Sequence, residues 1–239
     1  MNKKIKVLVG LVVAGLLVVG IGKLLWSQKV AVLLASGYEK QGIDVSHFQG
    51  EIDWPRMEAQ GISFAYIKAT EGSGYVDSCL EANYQGVKDT GIEYGFYHFL
   101  SLESAPETQM ENYKAAVDGL EMSLVPGIDI EWYGDMRQNP PDKEVVLDVL
   151  RQMASLMEEE YGQKPVVYTT QTFYLKYFAG EDLDFPLWIR NVYFLPFQDW
   201  TVWQYTDRAV MDGYNGEEKY IDCDVIKWEN LEMIRLKAE

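Results

Sequence analysis

The chain has 239 residues, 48% of them hydrophobic and 13% aromatic, with a formal net charge of −16 at pH 7. This is enough apolar material for one full-sized core, and it argues against disorder. The first 38 residues hold five lysines and no acid; the rest carries 16 basic against 37 acidic residues, a formal charge of −21, which argues against nucleic acid as a partner.

At the N-terminus, Lys3, Lys4 and Lys6 precede an uncharged run from Val7 to Gly22, followed by Lys23 and Leu24-Leu25-Trp26. A helix from Val7 to Trp26, rising about 1.5 Å per residue, extends roughly 30 Å, the depth of a bilayer core, with Lys23 free to snorkel outward. A cleaved signal peptide is the competing reading, but no clear A-x-A site follows. The small-residue segment LLASG (33–37) lacks the cysteine that bacterial lipid attachment needs. The expectation is an uncleaved membrane anchor over 1–29 with its lysine-rich end in the cytoplasm, a linker over 30–40, and a catalytic domain over 41–239 outside the cell membrane.

Beyond Gln41, β-rich runs alternate with segments of helical period, the pattern of a parallel sheet with crossover helices. Strands are expected at GIDVS (42–46), FAYIKAT (64–70), YGFYHFL (94–100), VPGIDIEW (125–132), VVYTT (166–170), PLWIRNV (186–192), TVWQYTD (201–207) and YIDCDVI (220–226). Eight strands suggest a closed barrel. Helices are expected from Asp77 to Thr90, with Leu80, Tyr84 and Val87 on one face, and after a capping box at Ser104-Ala105-Pro106-Glu107. The longest runs from Asp142 to Tyr161, with Val145, Val149, Leu150, Met153, Leu156 and Met157 as its core stripe before Gly162 and Pro165. The last three strands lie only about ten residues apart, too close for full crossover helices, so the second half should depart from a regular (β/α)8 barrel, with some strands antiparallel.

Chemistry concentrates in GIDIEW. Side chains alternate along a strand, so Asp129 and Glu131 at i and i+2 project to one side, among Ile128, Ile130 and Trp132. Confinement beside a like charge and an aromatic wall keeps one carboxyl protonated while its neighbour ionises, the division of roles that glycoside hydrolysis requires. Structural capping is the plainer alternative, but burying an acid pair in an apolar strand is costly. Asp44 and Asp222 repeat the theme in the first and last strands, which adjoin in a closed barrel. Asp224 adds a further acid on the face of Asp222, where it should raise neighbouring pKa values.

In this order, GIDVSHFQG, FAYIKATEG, YGFYHF, GIDIEW, WQYT and YIDCDV resemble the glycoside hydrolase family 25 lysozymes, over roughly 41–228. The resemblance implies an α/β fold, a modified TIM-like (β/α)5(β)3 barrel. It also implies cleavage of the β-1,4 bond between N-acetylmuramic acid and N-acetylglucosamine in peptidoglycan, with no metal or cofactor. Matched by position, Glu131 is the acid/base, Asp129 assists the substrate's acetamido group, and Asp44 and Asp222 are the remaining catalytic acids. Asp224 departs from the asparagine common at its position. Carboxylate spacing decides between an enzyme nucleophile and the acetamido oxygen; the reading favours substrate assistance with retention.

Lys68, Tyr97, Tyr168, Trp188 and Gln204 lie in or near strand ends and are candidates for binding the glycan, with ordinary barrel packing the alternative for each aromatic. His47 and His98 lack metal-ligand spacing, no G-x-S-x-G elbow occurs, and Cys79 and Cys223 are expected to be buried and free. Two rivals remain: an inactive barrel that binds wall glycan, and a hydrolase of another N-acetylated glycan such as chitin.

Overall fold

The structure, a computed structural model, describes residues 3–26 and 28–237. In chain order it runs α1 (Lys3–Trp26), α2 (Lys29–Ala35), β1 (Lys40–Val45), α3 (Trp54–Ala59), β2 (Ile62–Glu71), β3 (Tyr75–Val76), α4 (Leu80–Val87), β4 (Glu93–Phe99), α5 (Pro106–Val117), β5 (Gly127–Asp129), α6 (Lys143–Tyr161), β6 (Val166–Thr170), α7 (Gln171–Phe173), β7 (Leu187–Arg190), β8 (Val202–Ala209), β9 (Ile221–Ile226) and α8 (Leu231–Ile234). Apart from β3, the strands form a closed eight-membered barrel, because β1 pairs with both β9 and β2. All eight expected strands are present. The additional β3 pairs with Thr70 and Glu71, past the point where β1 leaves β2 at Ile67.

Every neighbouring pair in the barrel is parallel except those of β9, which runs antiparallel to β8 and β1. The expected departure in the second half is therefore a single reversed strand, with β7 and β8 joined in parallel by a loop. Alternation sends Phe64, Tyr66, Tyr97, Tyr168 and Trp188 into the barrel interior. Gly42 is small for this reason: a Cβ there would lie 2.3 Å from the Phe64 ring. The base of the barrel is closed by the C-terminal segment, whose Leu231 and Ile234 are buried against Leu124, Val125 and Val166. Two backbone bonds tie this segment in place, Val125 N–H to Ile234 O (2.8 Å) and Leu236 N–H to Ser123 O (2.9 Å).

Three local expectations are corrected. In α6 the buried stripe is Val146, Leu147, Leu150, Met153 and Met157, while Val145 is exposed, because the helix is rotated by about one residue from the expected face. At α5 the N-cap is Ala105 with no side-chain cap, and Pro106 alone sets the first turn. Residues 30–40 are no free linker. Ala31 and Ala35 of α2 are buried against Leu187, Ile189, Trp200, Trp203 and Val225, and Tyr38 packs edge-on against Trp200 at 5.4 Å. The two small residues let the helix lie close on the barrel wall.

A helix does span Lys3–Trp26. The expected transmembrane span from Val7 to Trp26 is not supported: among the described residues no helix is long and apolar enough to cross a membrane. The side chains of residues 7–10, 13 and 24–26 within that span lie outside those described.

Candidate active site

The acids gather at the end of the barrel where the parallel strands finish. Asp44 and Asp222 sit opposite one another in the β1–β9 ladder, and Gln204 pairs with Asp224 in the β8–β9 ladder. Gln204 is fully buried and donates from Nε2 to Asp44 Oδ2 (2.7 Å) and Asp222 Oδ2 (3.2 Å), while its Oε1 accepts from the Tyr168 hydroxyl (3.0 Å). One amide therefore fixes the spacing of two carboxyls. Asp129 ends β5, and Glu131 lies just past the strand, less buried than Asp129 and nearer the mouth. The expected strand 125–132 is thus cut to three residues. Beyond Asp129, Ile130 N–H still bonds Tyr168 O (3.0 Å), which keeps the backbone extended and both acids in one site.

All five acids have carboxyls pushed above the usual range, and burial is the leading cause in each. For Asp129, the charge of Glu131 adds to burial and Lys68 opposes it. For Glu131, Arg190 opposes burial most, then Arg137 and Lys68. For Asp44, the charge of Asp224 reinforces burial; for Asp222, that of Asp44 does. Burial pushes Asp224 up to about 7, although Trp188 Nε1–H donates to its Oδ1 at 2.7 Å. Asp129 and Glu131 titrate as a pair that takes up a proton more readily than an isolated carboxyl.

Not every candidate contact reaches the mouth. Lys68 does: its ammonium bonds Glu71 at 2.7 Å and lies 5.0 Å from the Phe99 ring centre. Tyr97 and Tyr168 line the barrel interior beneath the acids. Trp188 and Gln204, expected to touch the glycan, are 2% and 0% exposed and form the floor beneath the acids, Trp188 packed among Tyr66, Tyr97 and Tyr168. Their burial leaves them to position acids rather than to meet a sugar. Cys223 is buried and Cys79 half-buried, both as free thiols.

Two groups went unrecognised in the sequence. Arg190 closes β7 on the face of Trp188, a placement that alternation along LWIR already indicates. At the rim, the buried Asp77 accepts from His47 N–H (3.1 Å) and Cys79 N–H (2.9 Å) and holds His47 Nδ1 at 2.8 Å. No motif spacing announces that second cluster.

The model of "Glycosyl hydrolases family 25" matches residues 43–214. The chain belongs to this family. As a family 25 glycoside hydrolase it is 31% identical to Lysozyme M1 of Streptomyces globisporus over 74% of its own length and 65% of that protein. It is 34% identical to the uncharacterized protein YegX of Escherichia coli O157:H7 over 78% of its length and 70% of the relative's. Among solved structures, a family 25 glycosyl hydrolase from Bacillus anthracis superimposes with a TM-score of 0.73 at 41% identity, covering 79% of this chain and 89% of that one. A bacterial lysozyme from Streptomyces coelicolor gives 0.70 at 29% identity, covering 80% and 94%.

Proposed function

We propose that this hydrolase cleaves peptidoglycan at the β-1,4 bond between N-acetylmuramic acid and N-acetylglucosamine, with Glu131 as acid/base. The observation that carries this reading is the asymmetry within one acid pair. Glu131 sits at the mouth under the influence of three cations, whereas Asp129 lies beneath it with its Oδ1 buried and without a hydrogen-bond partner among the described residues. The pair holds a proton, Glu131 delivers it to the leaving oxygen, and Arg190, Arg137 and Lys68 stabilise the carboxylate left behind. Asp129 Oδ1 is suited to accept from the substrate's acetamido N–H, aligning its carbonyl oxygen to displace the leaving group at the anomeric carbon; water deprotonated by Glu131 then opens the cyclic intermediate, giving net retention. Asp44 and Asp222, held by Gln204, complete the acidic wall. The lysozymes among the relatives support the wall as substrate over chitin.

The substrate implies work outside the cell membrane. Anchoring through the N-terminus is part of the proposal, supported by Leu11, Val12, Leu16 and Leu17, each more than half exposed. Recovery of the mature protein from the medium, beginning near Tyr38, would refute the anchor.

The direct test is digestion of purified bacterial walls with wild type and Glu131→Gln, followed by analysis of the new reducing ends. N-acetylmuramic acid ends from wild type alone are expected. Absence of wall cleavage, or a mutant of undiminished activity, overturns the reading.

A further inference from the structure

Before the barrel begins, the backbone takes a form that is unfavourable for its residue. Gln28 has φ 58°, the only non-glycine residue in the left-handed region among those described, and its side chain is buried although polar. Such a conformation is unfavourable for a residue with a Cβ and persists where the surroundings over-determine it. Here the surroundings are two hydrogen bonds. Gln28 Nε2–H donates to Asp207 Oδ1 (2.5 Å), and Gln28 Oε1 accepts from the Thr206 hydroxyl (2.6 Å). Both partners lie on the upper part of β8, beyond Gln204. The other oxygen of Asp207 accepts from Arg190 at the upper end of β7.

We propose that Gln28 is a positioning residue of the active site: by holding Asp207 it sets the guanidinium of Arg190 beside Glu131 and Asp222, so that the segment ahead of the barrel belongs to the catalytic machinery. The inference rests on the assignment of Glu131 as acid/base. The Thr206 hydroxyl holds the Gln28 amide in place, and its Nε2–H fixes Oδ1 of the Asp207 carboxylate, leaving Oδ2 for Arg190. Without Gln28, Oδ1 loses its amide donor, the carboxylate turns, and both its oxygens become available to draw the guanidinium into a forked pair away from Glu131. The docking of Ala31 and Ala35 on the barrel wall places Gln28 at the correct height.

The charged and titratable groups around this link are known. Arg190 is influenced by Tyr168 on β6, Asp207 on β8 and Asp222 on β9, and Arg208 lies 3.7 Å from Asp207. Glu131 is coupled electrostatically to Asp129 and Asp44 and opposed by Arg137 and Lys68 besides Arg190. Withdrawal of Arg190 removes the strongest influence that favours the ionised form, so the carboxyl of Glu131 should titrate higher.

The test uses the full chain with Gln28→Met, which keeps side-chain length and removes both hydrogen bonds. A roughly fivefold fall in kcat with KM unchanged is expected. The alkaline limb of the pH profile should move up by about half a unit. In an Arg190→Gln background, Gln28→Met should add nothing. Multiplicative losses in the double variant, or a lowered Tm with the alkaline limb in place, would overturn the proposal. The Glu131 carboxyl titration followed by NMR separates the two readings: if wild type fails to cut walls but Gln28→Met still raises that titration, the assigned reaction falls and the link stands. An unmoved titration sinks the link itself.

Discussion

The two halves of the barrel interior are built from the same strands with the same alternation, yet they differ in kind. The lower half is apolar, with Phe64, Leu124, Val125, Val166, Val202 and Ile226 packed above the plug of Leu231 and Ile234. The upper half holds five carboxyls, every one raised by burial. Clustered acids in low dielectric cost stability, and the apolar half offsets that cost. Function and stability are therefore separable along the barrel axis, and substitutions in each half should change different observables.

The largest effect is expected at the mouth. Glu131→Gln removes the acid/base and should lower kcat by about a thousandfold or more, equivalent to about 4 kcal/mol. Its Tm should hold or rise, because a neutral amide relieves the charge that Glu131 places on Asp129. Hydrolysis rates and thermal melts on the same preparation check both. At the base, Ile234→Ala should reverse the signature: a loss of roughly 2–5 kcal/mol in denaturant unfolding, with kcat retained on the fraction that remains folded. If Ile234→Ala alters the pH profile, the two halves are not independent.

The upper half was the more legible in the sequence. Asp129, Glu131, Asp44 and Asp222 stand out because acids are rare within apolar strands; alternation puts Asp129 and Glu131 on one side, and closure of the barrel brings Asp44 beside Asp222. Eight β-rich runs pointed to a closed barrel. The packing of α2 was hidden, since AVLLA continues the apolar character of the N-terminal run and nothing in its composition shows that Ala31 and Ala35 will meet a tryptophan-rich wall. The face of α6 was misjudged for a related reason: its valines and leucines occupy neighbouring positions, so two stripes fit the pattern, and only the sheet below selects Val146 and Leu147. The floor role of Trp188 and Gln204 depends on depth within the barrel, which alternation does not encode.

Among the five acids of the upper half, Asp224 is fully buried, with one oxygen bonded to Trp188 and the other without a partner among the described residues. Its folded pKa is raised to about 7. Stability from this group is therefore fully present below the ordinary aspartate value near 4 and is lost as pH rises through about 7. Asp224→Asn keeps an acceptor for Trp188 and removes the titration. The variant should gain a few kcal/mol over wild type at alkaline pH, and the gain should fade toward pH 4. The same change removes the negative charge that raises Asp44, so the acid limb of activity should move to lower pH. A profile superimposable on wild type would detach Asp224 from the catalytic acids.

The smallest effect tests the boundary itself. Trp188 belongs to both halves: its ring packs on Tyr66 at 4.8 Å and on Tyr168 at 4.9 Å, while its Nε1–H serves Asp224. Trp188→Phe retains an aromatic ring and withdraws the donor. Because that hydrogen bond favours the ionised form, the Asp224 carboxyl should titrate still higher. The net stability loss should be about 1 kcal/mol from the hydrogen bond, with a further contribution from the smaller ring. Carboxyl NMR titration of the variant decides the point. A raised Asp224 with Asp129 and Glu131 unmoved places the boundary at the indole, whereas a shift in all three would show that the acids and the aromatic floor titrate as one unit.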